Sequence, residues 1–493
     1  MQGRTRPWMA GIGLVLALGG CAPSGKVSAP DVRLPAAYER TTPPAVDVAA
    51  TPQTWWTLFA DAQLDQLEGE ALAKAPDART ALARLRQAYA IRSSALDAYN
   101  PQGGLAAQAS DAHNRTTYSG INLSGLSSGT GGTAGLAGLS NLFLPANETK
   151  TYQGSFNVSW ELDLFGRRKA ARRTANADIL AARFEFEASR LSLEANVATS
   201  LFQARALAVQ LDDARETARI AASLADVGRR KAERGLASSS DAARLAADAD
   251  TARADAVRIE ALFNAARRTL LVLIGRGAAP VESLAIEARL APPPVLPSSA
   301  PSDLLRRRPD VREAEEKLRS AIGTLTLDRL ALLPTLTLNP STAGQRTEAN
   351  YVSKTSIWTL AAGATEPVLD RPRLISAVRA QKARAEEAAT LFEQSILNAY
   401  RDAENGLNQL DADRARLALL TDAEARSRFA FDANDRAYRD GLIDLTTLLD
   451  AERSWRASRS GLTALQAGAL NDAVSTIKAL GGGWSGAPTK LRE

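Results

Sequence analysis

Tyr438-Arg439-Asp440-Gly441-Leu442-Ile443-Asp444 sets a turn signal in the middle of an otherwise unbroken helical pattern. A twin, Lys231-Ala232-Glu233-Arg234-Gly235-Leu236-Ala237-Ser238, stands 206 residues earlier when Gly235 is set against Gly441 (441 − 235 = 206). The same offset aligns Leu201 with Leu407, Arg167 with Arg373, Ile274 with Leu480 and Gly275 with Gly481, without a gap. A fixed offset over such lengths marks the chain as a duplication of one unit.

A second offset locates what differs between the copies. Pro76 matches Pro309 and Pro101 matches Pro334 at 233 residues, 27 more than 206 (233 − 206 = 27), so an insertion lies between Pro101 and Arg167. Residues 119–145, rich in Gly, Ser, Leu, Asn and Thr and without helical period, supply it as a long loop. On either side lie strand candidates. From Tyr152 to Leu164 the apolar Tyr152, Phe156, Val158, Trp160, Leu162 and Leu164 alternate with Gln153, Ser155, Asn157, Ser159, Glu161 and Asp163. Its partner at 103–113 is weaker; the second copy offers Leu336-Thr337-Leu338-Asn339 and Ile357–Thr365.

After each second strand the pattern predicts a helix of unusual length, over 167–233 and 373–440, each roughly 100 Å long at about 1.5 Å per residue. Returning helices over 241–274 and 445–480 give each an antiparallel partner. Frequent Ala permits close approach, and Arg, Asp and Glu occupy the remaining faces.

Aromatics are 5% and a single His is present, which argues against a metal site or a His-based active site. No nucleophile and base pair, metal cluster or phosphate loop emerges, so an enzyme is not expected. The net charge of +5 is spread among Glu and Asp without a basic block or aromatic interleaving, so no nucleic-acid partner is expected. Arg4 and Arg6 precede an apolar run from Trp8 to Leu18 and then small residues, the order of a secretory signal too short to span a bilayer. Leu18-Gly19-Gly20-Cys21 resembles the bacterial lipobox, and Cys21 is the only cysteine. Covalent lipid on Cys21 is the one modification expected, with no cofactor, and Ala22 stands where Asp would signal inner-membrane retention.

After the signal no apolar run reaches about 18 residues, so a membrane crossing requires a barrel. Four strands per chain cannot close one, and open edges are not tolerated in lipid. Two chains give eight strands and three give twelve. Barrels of about eight strands are filled by side chains, so a conducting pore favours three. A soluble four-stranded sheet with one wet face is the alternative, and a lipid anchor weighs against it. The fold class expected is an α+β membrane protein of long helical hairpins plus four strands. Its segments are a signal at 1–20, a lipidated tether at 21–54, a first repeat at 55–275, a linker at 276–300, a second repeat at 301–482 and a tail at 483–493.

These residues together resemble the outer-membrane factors of tripartite efflux, the TolC-like channels and their lipidated NodT-type branch. The resemblance is carried by Leu304-Leu305 with Arg308-Pro309-Asp310 and Ala314-Glu315, by Trp160-Glu161-Leu162-Asp163-Leu164-Phe165-Gly166-Arg167, by Gly441 with Leu449-Asp450-Ala451, and by Ala479-Leu480-Gly481-Gly482-Gly483-Trp484. It implies a homotrimer with a twelve-stranded barrel in outer-membrane lipid and a periplasmic helical tunnel. It implies a passive conduit opened by a periplasmic adaptor and a proton-driven inner-membrane pump. Gly235-Leu236 and Gly441-Leu442 are then the adaptor contacts, and Asp241, Asp444 and Asp450 line the constriction. Ser238 with Asp241, and Asp444 with Thr447, also have N-cap spacing, so capping competes with gating there. Asp450 lies too far into its helix for capping and competes only with a solvated face. Thr447 stands where many relatives carry a second Asp.

The only methionines, Met1 and Met9, leave with the signal, so a thioether path for soft metals is lacking and small organic cargo is expected. The alternatives are the outer-membrane conduit of type I protein secretion and a non-conducting envelope lipoprotein. Cys21→Ser should abolish incorporation of labelled fatty acid into the expressed chain, and label persisting in that variant would overturn the lipobox reading.

Overall fold

The computed structural model describes residues 27–28, 30–39, 54–113, 148–296, 307–349 and 351–482. The signal-like segment, Cys21, the 119–145 insertion, Leu304-Leu305 and the 483–493 tail lie outside the described residues. In chain order the elements are α1 (Ala62–Lys74), α2 (Pro76–Asp97), β1 (Gln102–His113), β2 (Glu148–Leu162), α3 (Arg167–Glu233), α4 (Ser239–Leu273), α5 (Pro309–Leu330), β3 (Thr335–Glu348), β4 (Val352–Thr365), α6 (Arg371–Arg439) and α7 (Leu445–Ala479). Short 3-10 turns stand at Trp55–Phe59 and Val281–Ser283. Among the described residues no helix is long and apolar enough to cross a membrane.

The duplication read from turn signals is repeated in burial. At the 206 offset Ala175 and Gln381, Ile179 and Ala385, Leu193 and Ala399, Val197 and Ala403, and Ala204 and Leu410 are all buried. At the 233 offset Leu85 and Leu318 are both buried. Each copy therefore turns the same stripe of its long helix inward.

The contacts divide the chain into two units that cut across the repeats: one holds residues 90–176 and 320–385, the other 27–89, 177–319 and 386–493. The first unit is built on one antiparallel sheet of order β1-β2-β3-β4, in which β2 and β3 join the hairpins of the two copies. The alternation read over 152–164 is present in β2, although the strand ends at Leu162. β3 is longer than expected. The sequence reading ends at Asn339, and the next residue is a proline, which inside a central strand removes a ladder hydrogen bond. The strand instead runs on through Pro340, which keeps its place opposite Leu360 of β4, while the β2 pairing skips from Asn157–Ser341 to Trp160–Leu338. The defect is confined to one ladder. At the strand-to-helix passage Arg167 pairs with Glu161 at 3.0 Å and donates to the Leu330 carbonyl at 3.0 Å, tying the start of α3 to β2 and to the end of α5.

The second unit is helical. Its main core joins Trp55, Trp56 and Phe59 to Leu64, Leu67 and Ala71 of α1, Val197, Leu201 and Phe202 of α3, Leu270 and Leu271 of α4, and Leu470, Val474 and Ile477 of α7. Asp61 caps α1 through the Leu64 amide at 3.0 Å and pairs with the buried Arg205. Burial alone would raise the Asp61 carboxyl, but the Arg205 guanidinium and the Leu64 amide hold it below its ordinary value. Arg308 does similar work in the second copy: it pairs with Asp310 and Asp402 and donates to the Ala479 carbonyl at the end of α7. Close helix packing shows at Gly406, where an added Cβ would stand 3.2 Å from the Cβ of Thr476.

Two segments expected to be connectors are instead packed. Tyr38, within the expected tether, is buried against Val311, Ile396 and Ala403 and stacks on Tyr400 at 6.1 Å between centroids. Within the expected linker Leu284 is buried, and Ile286, Leu290 and Leu296 cover the main core. Both carry apolar side chains that gain by leaving water.

Glu68 lies fully buried in this unit with neither carboxyl oxygen hydrogen-bonded, and burial together with the Glu194 carboxylate pushes its pKa up to about 10. The native state thus keeps a proton that the unfolded chain releases near its ordinary value. Stability falls as pH rises between that value and about 10, with a limiting slope of about 1.4 kcal/mol per pH unit. Glu68→Gln should flatten the fall in unfolding midpoint between pH 6 and pH 9; slopes equal to wild type would contradict the buried neutral acid.

Candidate functional site

The two Gly-Leu turns have one geometry. α3 ends at Glu233, Gly235 takes φ +67°, its amide donates to the Ala232 carbonyl at 3.0 Å, and the Leu236 amide reaches back to the Lys231 carbonyl at 2.8 Å. α6 ends at Arg439, Gly441 takes φ +75°, its amide donates to Tyr438 at 3.1 Å, and the Leu442 amide donates to Ala437 at 2.8 Å. This paired closure needs a left-handed residue, which is why glycine holds both positions. Leu236 and Leu442 follow at 73% and 76% exposure, two apolar side chains held in water.

The turns lie side by side. Lys231, in the last turn of α3, sits over the Tyr438 ring in the last turn of α6 at 4.7 Å from its centroid. Both residues lie in the stretches that reveal the duplication, but their adjacency spans the two copies, and no local pattern encodes it.

The acidic residues after the turns separate by role. Asp444 is the N-cap of α7, its carboxylate accepting from the Thr447 amide at 2.8 Å. The Thr447 hydroxyl and amide hold its pKa below the ordinary value. Ser238, not Asp241, caps α4, accepting from the Asp241 amide at 3.1 Å, and Asp241 stands exposed in the first turn. Asp450 is exposed on α7 and pairs with Arg453 at 3.5 Å.

Farther along the same unit, Asp213 of α3 pairs with Arg459 of α7, Trp455 donates to Glu424 at 3.0 Å, and the Trp455 ring stacks on Phe431. The first of these contacts ties the hairpin of the first copy to that of the second, and the other two hold α6 against α7 within the second.

The sheet has two chemically distinct faces, set by its register. One presents Leu105, Phe156, Val158, Trp160, Leu336, Leu338, Trp358 and Leu360. Leu105 is 83% exposed and Trp358 82%, so no described residue covers this face there. The other presents Thr, Ser, Gln, Asn, Ala and Gly with Ile357, and its one charged residue, Glu161, is paired with Arg167. An apolar face left bare beside a hydroxyl- and amide-lined face is the pattern of a strand set with lipid on one side and water on the other.

Long paired helices, matched turns and a two-faced sheet define a chain built for an outer-membrane channel. The sequence pattern of the outer membrane efflux protein family matches residues 67–276 and 300–482, and the chain belongs to that family. The pyoverdine export outer membrane protein OpmQ of Pseudomonas putida is 30% identical over 457 residues, 91% of this chain and 92% of that one. The cation efflux system protein CusC of Escherichia coli is 26% identical over 487 residues, 96% and 97% of the two chains. The Campylobacter jejuni CmeC outer membrane channel superposes with a TM-score of 0.80 at 19% identity, covering 95% of this chain and 96% of that one. The protein is an outer-membrane component of an efflux system.

Asp444→Ala should speed amide exchange over residues 445–448, whereas Asp444→Asn keeps the cap. Because the Asp444 pKa is depressed, the wild-type cap is present above the ordinary Asp value and lost as pH falls through the lower, folded one, while the Asn cap is indifferent to pH. Equal exchange in Asp444→Ala and wild type would contradict the cap.

Proposed function

We propose that three copies close a twelve-stranded barrel through their free β1 and β4 edges and form a passive conduit across the outer membrane, anchored also by lipid on Cys21. The observation that carries this reading is the single open sheet with one bare apolar face and one polar face whose single charge is paired. From Leu162 to Tyr152 the apolar face runs ten residues, roughly 33 Å along the strand and about 25 Å in height at a tilt near 40°. That height matches the lipid-facing band of bacterial barrels.

The paired tips carry the docking role in this reading. Gly235-Leu236 and Gly441-Leu442 offer exposed leucines on rigid turns to a periplasmic adaptor working with a proton-driven inner-membrane pump. Asp450 serves as the gate carboxylate: it is exposed and takes no part in a cap, and three copies around an axis would favour cations. Asp444 is engaged as a cap, and Asp241 stands as a weaker second candidate. Small organic cargo fits a mature chain without methionine and accords with a relative named for pyoverdine export.

Planar-bilayer recording tests the conduit. The purified trimer should conduct, and Asp450→Ala should raise single-channel conductance or reduce cation preference; a trimer that never conducts, Asp450→Ala included, sinks the channel reading. Gly441→Trp should depress efflux in cells while trimer yield stays near wild type, and equal loss of both would count against a docking tip.

A further inference from the structure

On the apolar face of the sheet, charge begins abruptly at one row. Across the four strands the register sets Ala109, Tyr152, Arg346 and Lys354 side by side, with Arg346 and Lys354 directly opposite each other on β3 and β4. Like charges in direct cross-strand opposition destabilise a sheet. One carboxylate offsets them in part: Glu348 pairs with Arg346 at 2.6 Å. The neighbouring Lys150 is matched by Asp111 at 3.9 Å, and His113 stands beside Glu148 at 3.6 Å and Asp111 at 4.0 Å. Over the whole charged end Lys150, Arg346 and Lys354 are balanced by Asp111, Glu148 and Glu348, but at this row two cations face the single carboxylate of Glu348, and the face is uncharged from there down to the strand ends joined to helices.

The row nearer the helices is Ala107, Gly154, Gly344 and Ser356, and a Cβ added at either glycine would meet nothing within 4 Å. The row after that is Leu105, Phe156, Thr342 and Trp358. Two cations and the Tyr152 hydroxyl therefore overlook a shallow trough, bounded on its far side by Leu105, Phe156 and Trp358.

We propose that Arg346 and Lys354 bind the phosphate of an anionic lipid headgroup in the leaflet at the hairpin ends, with Tyr152 as a neutral donor and an acyl chain lying over the trough toward Trp358. The proposal rests on the barrel reading, in which this face meets lipid. Charge complementarity selects the ligand: a phosphate neutralises the opposed pair, and a guanidinium beside an ammonium offers it several donors. The occupant is a lipid and not free phosphate because, Ser356 apart, the trough below the cations is lined by Ala107, Gly154 and Gly344 and bounded by Leu105, Phe156 and Trp358, an apolar surface that contributes nothing to an inorganic ion.

The test uses the full-length lipidated protein, with retention of added lipid read by native mass spectrometry against bisphosphorylated lipid A, its dephosphorylated form and inorganic phosphate. Wild type should retain the bisphosphorylated lipid selectively, and R346Q/K354Q should retain it about 25-fold less tightly, at about five-fold for each cation lost. K354Q alone, which leaves the Arg346–Glu348 pair in place, should show the five-fold loss even if the double variant misfolds, and K354R should restore binding. Retention unchanged in these variants, or displacement by inorganic phosphate at concentrations that match the lipid, overturns the proposal. Phe156→Cys labelled from within the bilayer by an apolar maleimide separates the two readings. Without labelling the barrel reading falls and takes the lipid site with it; with labelling but unchanged retention, only the lipid site falls.

Discussion

An unpaired strand edge in hydrocarbon has no water to satisfy its amides and carbonyls, and among the described residues the sheet leaves two such edges, on β1 and β4. Everything else about the sheet presupposes that they are covered. Its bare aromatic and aliphatic face would be an aggregation surface in water, and its polar face would be wasted in lipid. One chain supplies neither the strand number nor the curvature to resolve this. Gene duplication has doubled the number of strands without removing the open edges, so the physical argument for self-association lies in hydrogen bonding before it lies in side-chain contacts.

Duplication explains the repeated burial stripes but not the places where the copies diverge. The stripes persist because each long helix must bury a narrow face, and alanine at many of those positions lets a partner helix approach closely. Divergence concentrates where polar groups are buried. In the first copy Asp61 and Arg205 fasten the start of α1 to α3, and Trp55 donates to Glu194 at 2.9 Å. In the second, Arg308 fastens the start of α5 to the end of α7 through Asp402 and the Ala479 carbonyl. Removing one partner from such a pair leaves a buried charge unmatched, a larger effect than the pair's own net contribution. These contacts fix how the helices meet, which apolar stripes of similar residues leave underdetermined.

Much of this was legible in the sequence because period and punctuation are local. Gly235 and Gly441 announce left-handed caps, the alternation from Tyr152 to Leu162 announces a two-faced strand, and proline marks the ends of α2 and α5. The misses come from interactions that local pattern does not carry. Pro340 is a breaker by local rules, yet the ladder to β4 continues past it because only one neighbouring strand loses its pairing. Tyr38 sits in a tether-like composition, and its burial depends on a surface formed by Tyr400 and Ile396, more than 350 residues away. At the tips, spacing alone left Asp444 between cap and gate; the Thr447 amide at 2.8 Å assigns it to the cap. Asp241 differs from it because Ser238 takes the capping position in the first copy.

The distribution of charge follows the same division of labour. On the polar face of the sheet the only carboxylate, Glu161, is matched by Arg167, so that face has no unpaired charge to sort solutes by. The helical unit, by contrast, is dense in ion pairs, and near the second tip Asp450 and Arg453 hold opposite charges within 3.5 Å. In the proposed conduit, discrimination by charge has to arise among the helices, where displacing a side chain would break such a pair and change the local field. A hydroxyl-lined passage fixed by backbone ladders has no comparable freedom. The sheet is therefore suited to let cargo through without regard to its charge, and any sorting by charge falls to the ion-paired helices.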